Sequence, residues 1–212
     1  MDMLAQFMDV VLHVDRHLVE FLSHYGLWVY ALLFAIIFAE TGFVITPFLP
    51  GDSLLFAAGT LAAGSGLDIQ WLLPLLVAAS FSGDNTNYWI GYHVGPRVFR
   101  RAQSRLLNLE YLERAHAFYE RHGGKTVLLA RFLPILRTFA PFVAGIGRMP
   151  YVRFLAFSLS GAVAWIGLFT LAGYYFGQVP VVRENLVAVM MGIIVLSVMP
   201  GVIAWFRHRF AG

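Results

Sequence analysis

From Leu27 to Ala39 every side chain is apolar, and the run then breaks at Glu40, Gly42, Pro47, Pro50 and Gly51 before a second, largely apolar piece from Leu54 to Ala63. A bilayer-spanning helix needs about 20 apolar residues, so neither piece spans alone. Two short helices joined by a Pro/Gly turn read as a re-entrant hairpin over 27–63, and one kinked span through the prolines is the alternative. The same pattern returns at 126–147, where Arg131, Pro134, Arg137, Pro141 and Gly145 interrupt apolar sequence. A second re-entrant hairpin is expected there. Segments 71–95, 151–176 and 186–206 are each long enough to cross, giving about three full transmembrane helices at roughly 20 residues per span. Ahead of them, Phe7, Val10, Val11, Val14, Leu18, Phe21, Leu22 and Tyr25 recur at steps of three and four among charged residues, which predicts an interfacial amphipathic helix over 3–25.

Composition marks the chain as an integral membrane protein. It is 212 residues long, 59% hydrophobic, only 13% charged, and has a mean hydropathy of +0.71, outside the range of soluble domains. The expected fold class is an all-α polytopic membrane protein forming one domain. Basic residues gather in 96–125, with Arg97, Arg100, Arg101, Arg105, Arg114, Arg121 and Lys125, and again in Arg207, His208 and Arg209. The positive-inside bias puts that loop and the C-terminus in the cytoplasm and removes any need for nucleic acid as a partner. With these sides fixed, the second hairpin enters from the cytoplasmic face and the first from the opposite face. Phe48-Leu49-Pro50 recurs as Phe132-Leu133-Pro134, and Gly91-Tyr92 with Gly95 recurs as Gly173-Tyr174 with Gly177. An inverted pseudo-repeat with broken helices is an arrangement of secondary transporters.

Candidate chemistry concentrates where the hydrophobic runs break. Arg131 and Arg137 lie in an apolar tract, where a guanidinium costs several kcal/mol unless it meets a counter-charge or water. Glu40 and Asp52 are the expected counter-charges. Planar guanidinium groups bind phosphate oxygens in bidentate fashion, so Arg131 and Arg137 are candidates for holding a lipid phosphate. A purely structural ion pair is the competing reading. Glu40 and Asp52, each pulled one way by burial and the other by arginine, are candidates for proton coupling. Asp84 and Asn87 are supporting polar residues that either extend the site or bond broken backbone. Pro47, Pro50, Gly51, Pro134, Pro141 and Gly145 shape the hairpins. His13 and His17 have zinc-compatible spacing but no third ligand nearby, so neither a metal nor any other cofactor is expected. No nucleophile elbow, P-loop or dinucleotide fingerprint is present, and the arginine tract offers no phosphatase nucleophile, so the chain is not expected to be an enzyme.

These residues together resemble the DedA family, within the SNARE-associated or VTT domain superfamily. The carriers are Glu40-Thr41-Gly42, Pro47 through Leu55, Gly83-Asp84 with Asn87-Tyr88 and Gly91, His122-Gly123-Gly124-Lys125, and the run from Arg131 to Gly145 with Pro134, Arg137, Pro141 and Ala144. The resemblance implies a bacterial inner-membrane protein that supports envelope integrity and moves lipid between leaflets. Glu40 and Asp52 fall at the family's embedded acids, and Arg131 and Arg137 at its essential arginines. The expectation is a flippase coupled to the proton-motive force, with undecaprenyl phosphate or another phospholipid and protons as its partners and room for a homo-oligomer. An uncoupled scramblase and a non-transport scaffold for division or envelope assembly are the alternatives.

Overall fold

The computed structural model describes residues 26–43, 51–64, 66–101, 125–131, 134–185, 188–193, 195 and 199. The expected amphipathic segment 3–25, residues 102–124 of the basic stretch, Pro47, Pro50 and much of 186–206 lie outside them. Among the described residues the secondary structure is helical, with no strand. The helices are α1 (Trp28–Gly42), α2 (Gly51–Ala63), α3 (Ile69–Arg101), α4 (Lys125–Ala130), α5 (Pro134–Ile146), α6 (Tyr151–Phe176) and α7 (Pro180–Glu184). At 1.5 Å per residue α1 and α2 are about 22 and 20 Å long, short of the roughly 30 Å hydrocarbon core. Helix α6 has both the length and the apolarity to cross, and it exposes Val152, Leu159, Val163, Leu168, Tyr175 and Phe176. Helix α3 is longer still and runs to Arg101, so the first residues of the basic stretch 96–125 are helical.

Three polar side chains of α3 bond carbonyls of their own helix. Ser82 donates to the Ala78 carbonyl at 2.7 Å, Asn85 to Phe81 at 2.7 Å and Thr86 to Ser82 at 3.0 Å. Asp68 precedes the helix; its Oδ1 accepts the Gln70 amide at 2.8 Å while its own N–H donates to the Tyr30 hydroxyl at 2.7 Å. Such local bonding lets a helix carry polar groups through an apolar phase.

The chain folds as two compact units, one of residues 1–36, 49–76 and 165–212, the other of residues 37–48 and 77–164. In the first, α2 lies against the second half of α6 through glycine. A Cβ on Gly59 would overlap the Thr170 carbonyl and crowd the Tyr174 amide, and one on Gly173 would overlap the Phe56 carbonyl. In the second, α5 lies against the second half of α3. There a Cβ on Gly145 would overlap the Tyr88 carbonyl and crowd the Tyr92 amide, and one on Gly91 would overlap the Phe142 carbonyl. The two crossings therefore use the same device at the same spacing: Phe56 and Gly59 meet Thr170, Gly173 and Tyr174 as Phe142 and Gly145 meet Tyr88, Gly91 and Tyr92. Small residues permit this backbone approach, which is how helices associate where lipid removes the hydrophobic drive.

Both crossings are also parallel. Phe56 faces Gly173 and Thr60 faces Gly177 in one unit; Asn87 bonds Thr138 and Gly91 faces Phe142 in the other. The second unit has its own apolar core of Tyr88, Val127, Ala144, Met149 and Phe154, with the Tyr88 hydroxyl bonded to the Met149 carbonyl at 2.6 Å. Helix α5 ends in a cap where the Met149 amide reaches back to Ala144 and the Arg148 amide to Gly145, both at 3.0 Å. Arg148 takes the left-handed position of that cap, at φ 50°, where glycine is usual, and its guanidinium lies 5.4 Å from the Tyr92 ring centre.

Candidate functional site

One stripe of α3 organises the second unit. Ser80, Gly83, Asp84, Asn87, Tyr88 and Gly91 recur at steps of three and four, which places them on one helical face. Gly83 lets the end of α1 come close, since a Cβ there would overlap the Thr41 hydroxyl. Thr41 donates to Ile37 at 2.9 Å and, more weakly, to the Ser80 carbonyl at 3.4 Å. This contact sets Glu40 in the last turn of α1, inside the protein.

Two arginines meet two acids in this interior. Glu40, Asp84, Arg131 and Arg137 are 0, 1, 3 and 4% exposed, so each charge is removed from water and must be matched by protein. Arg137, in the first turn of α5, pairs with the Glu40 carboxylate through Nη2 and Oε1. Arg131, just past α4, pairs with Asp84 Oδ2 at 2.8 Å. Its guanidinium also donates to Ser80 Oγ at 2.5 Å and to the Ser158 carbonyl at 2.9 Å. Ser158 in turn donates its hydroxyl to Asp84 Oδ2 at 2.6 Å. Gly161 makes room for Arg131, because a Cβ there would stand 3.2 Å from Cδ and 3.3 Å from Nη1.

Asn87 ties α1 and α5 to α3. Its amide nitrogen donates to the carbonyls of Thr41 at 3.1 Å and Thr138 at 2.7 Å, the residues directly after Glu40 and Arg137. The pair and the clamp beside it are thus set by the same helix ends. Pro141 removes the amide that a regular helix would aim at the Arg137 carbonyl, which loosens the helical bonding at the start of α5.

Of the sequence-predicted residues, Glu40, Asp84, Asn87, Arg131 and Arg137 come together in this one unit. Asp52 belongs to the other unit, where it is 9% exposed and accepts the Trp165 indole N–H at 2.9 Å. Gly51 opens α2 and Gly145 forms the close crossing described above; Pro134 opens α5. Sequence reasoning left Asp84 without an arginine and did not single out Ser158 or Trp165. The signal for Asp84 was its helical spacing to Ser80 and Asn87.

Comparison with known proteins is unambiguous about relationship. The VTT domain matches residues 49–175. Protein DedA of Escherichia coli is 51% identical over 213 residues, covering 100% of this chain and 97% of the relative. An uncharacterised membrane protein of Mycobacterium leprae is 44% identical over 82% of this chain and 78% of its own length, and the inner membrane protein YghB of Escherichia coli is 34% identical over 80% and 78%. No solved structure matches the chain.

Proposed function

The chain belongs to the DedA family of VTT-domain membrane proteins, and on that premise we propose that it carries an anionic lipid phosphate, such as undecaprenyl phosphate, between the leaflets of the bacterial inner membrane in exchange for protons. The observation that carries the reading is the pair of guanidinium groups held at 3 and 4% exposure against carboxylates in one small interior. Arg131 and Arg137 offer planar, permanently charged donors that fit phosphate oxygens. The four charges sum to zero because each arginine has its acid. A phosphate entering would replace a carboxylate, and a proton on the displaced acid would keep the buried charge at zero. Glu40 is the acid assigned to this exchange beside Arg137, with Asp52 a second membrane-embedded carboxylate in the other unit.

The architecture we assign is two re-entrant hairpins, α1 with α2 and α4 with α5, inverted across the bilayer. Three observations support it: α1, α2 and α5 are too short to span, the two glycine crossings repeat, and each outgoing hairpin limb runs parallel to its long helix. In an inverted arrangement α3 leaves toward the cytoplasm with α5 beside it, and α6 leaves toward the outside with α2 beside it. The basic residues of 96–125 and of the C-terminus support a cytoplasmic assignment for both. Repeated units built on broken helices suit alternating access.

The test is leaflet-to-leaflet movement of undecaprenyl phosphate in proteoliposomes, with and without an imposed pH gradient. Wild type should give gradient-dependent flux that Arg137→Ala and Glu40→Gln abolish at matched reconstitution. Flux indifferent to the gradient would remove proton coupling and leave an uncoupled scramblase; no flux above empty liposomes would favour a scaffold.

A further inference from the structure

We infer that Asp84 is the resident anion of Arg131, the carboxylate that an incoming lipid phosphate displaces, and that it takes up a proton as it leaves. The inference rests on the lipid-phosphate reading above and assigns a third embedded acid to that site. Among the described residues, the acceptors of hydrogen bonds from the Arg131 guanidinium include Ser80 Oγ at 2.5 Å, the Ser158 carbonyl at 2.9 Å and Asp84 Oδ2 at 2.8 Å. Two of these are neutral dipoles. They hold the guanidinium in place whatever Asp84 does, so displacing the acid does not release the arginine. Asp84 supplies the charge, and charge is what an anionic ligand competes for.

Ser158 adapts the acid to both protonation states. Its hydroxyl donates to Asp84 Oδ2 at 2.6 Å, which suits a carboxylate. A serine hydroxyl can also accept, so after rotation it serves a protonated Asp84 equally well. Ser158 thus offers the Asp84 carboxyl a partner in either state, which is what a group that switches in a dry interior needs. The charge also balances. At Arg131, carboxylate and guanidinium sum to zero before exchange; a phosphate monoanion and guanidinium sum to zero after it, with one proton on Asp84 and Glu40 still ionised against Arg137, and only the second charge of a dianion calls for a proton on Glu40. The charged and hydrogen-bonding groups facing Asp84 are Arg131 after α4, Ser158 on α6 and Ser80 on its own helix, with Arg137 of α5 in electrostatic reach and Glu40 of α1 paired to it.

The experiment uses the full chain in detergent and didecyl phosphate, an anionic amphiphile whose single charge does not titrate near neutral pH. Binding is followed by tryptophan fluorescence at about pH 6 and pH 8, and proton uptake by an indicator dye in weak buffer. Wild type should bind more tightly as pH falls, by up to about tenfold per unit for one linked proton, and should take up protons on binding. Asp84→Asn keeps the shape and a partner for Ser158 but removes the competing charge; it should bind about tenfold or more tighter at the higher pH, with a shallower pH slope. Weaker or unchanged binding in a folded Asp84→Asn protein would make Asp84 a structural counter-ion and overturn the inference. If that variant does not fold, wild type decides: absent proton uptake overturns it. Arg137→Ala separates the two levels of the argument. Wild-type binding lost in Arg137→Ala, with Asp84→Asn weaker, keeps the lipid-phosphate reading and discards the role of Asp84; no binding by wild type discards both. Inorganic phosphate in the same assay should bind far more weakly, and equal affinity would point to a free-phosphate site.

Discussion

Glu40→Gln is the perturbation that most cleanly weighs the buried pair. It keeps side-chain volume but leaves the Arg137 guanidinium, 4% exposed, facing an amide. Breaking a buried ion pair by removing one partner destabilises by roughly 3–5 kcal/mol, because the remaining charge is uncompensated. For a chain of this size each kcal/mol lowers the melting temperature by about 2–4 °C, so the fall should be roughly 6–20 °C. Melting followed by the five tryptophans in detergent reads this directly. The double variant Glu40→Leu with Arg137→Met replaces both charges by apolar groups and should recover most of the loss, since such replacements are neutral or stabilising. A single variant that melts within a degree of wild type would mean that water reaches the pair. A double variant as unstable as the sum of its singles would mean that the two residues are not coupled.

Gly145→Ala and Gly59→Ala, which create the same backbone overlap in the two units, should destabilise to a similar extent, each by at least the roughly 1–3 kcal/mol of an overpacked contact, checked by the same melts. Trp165→Phe removes one donor to the buried Asp52; the loss should be about 1–3 kcal/mol, read from the same melts. Arg137→Lys keeps the charge but not the planar fork, so it should fold near wild type by melting while lowering lipid-phosphate flux at least about tenfold, the scale of one lost bidentate contact. Folded protein with full flux would argue for a point charge rather than phosphate recognition.

Much of the helical outline was legible because hydrophobic runs and their breaks are local signals. The short apolar pieces on either side of residues 43–50 become α1 and α2, and Tyr151–Phe176 becomes α6 with the expected bounds. The end of α3 was harder to read, since the charged residues near Arg101 suggest a loop by polarity, yet arginine is a good helix former and the helix continues. The internal repeat showed in sequence as Gly91-Tyr92 and Gly173-Tyr174; its partners share a second short repeat, Phe56-Ala57-Ala58-Gly59 and Phe142-Val143-Ala144-Gly145, which sequence reasoning did not single out because only the tertiary contact shows what the two glycines do. The charges were legible as residues needing partners, but who pairs with whom was not. Asp84 meets Arg131 through the packing of α3 beside α4 and α6, and nothing along the chain ties Asp52 to Trp165.

The most direct test of the central claim is lipid-phosphate flux through the stability-matched double variant Glu40→Leu with Arg137→Met. The account predicts a folded protein in proteoliposomes that moves no undecaprenyl phosphate above background, because the pair exists to exchange with phosphate. Wild-type flux from that variant would contradict it and make the buried charges a matter of structure alone.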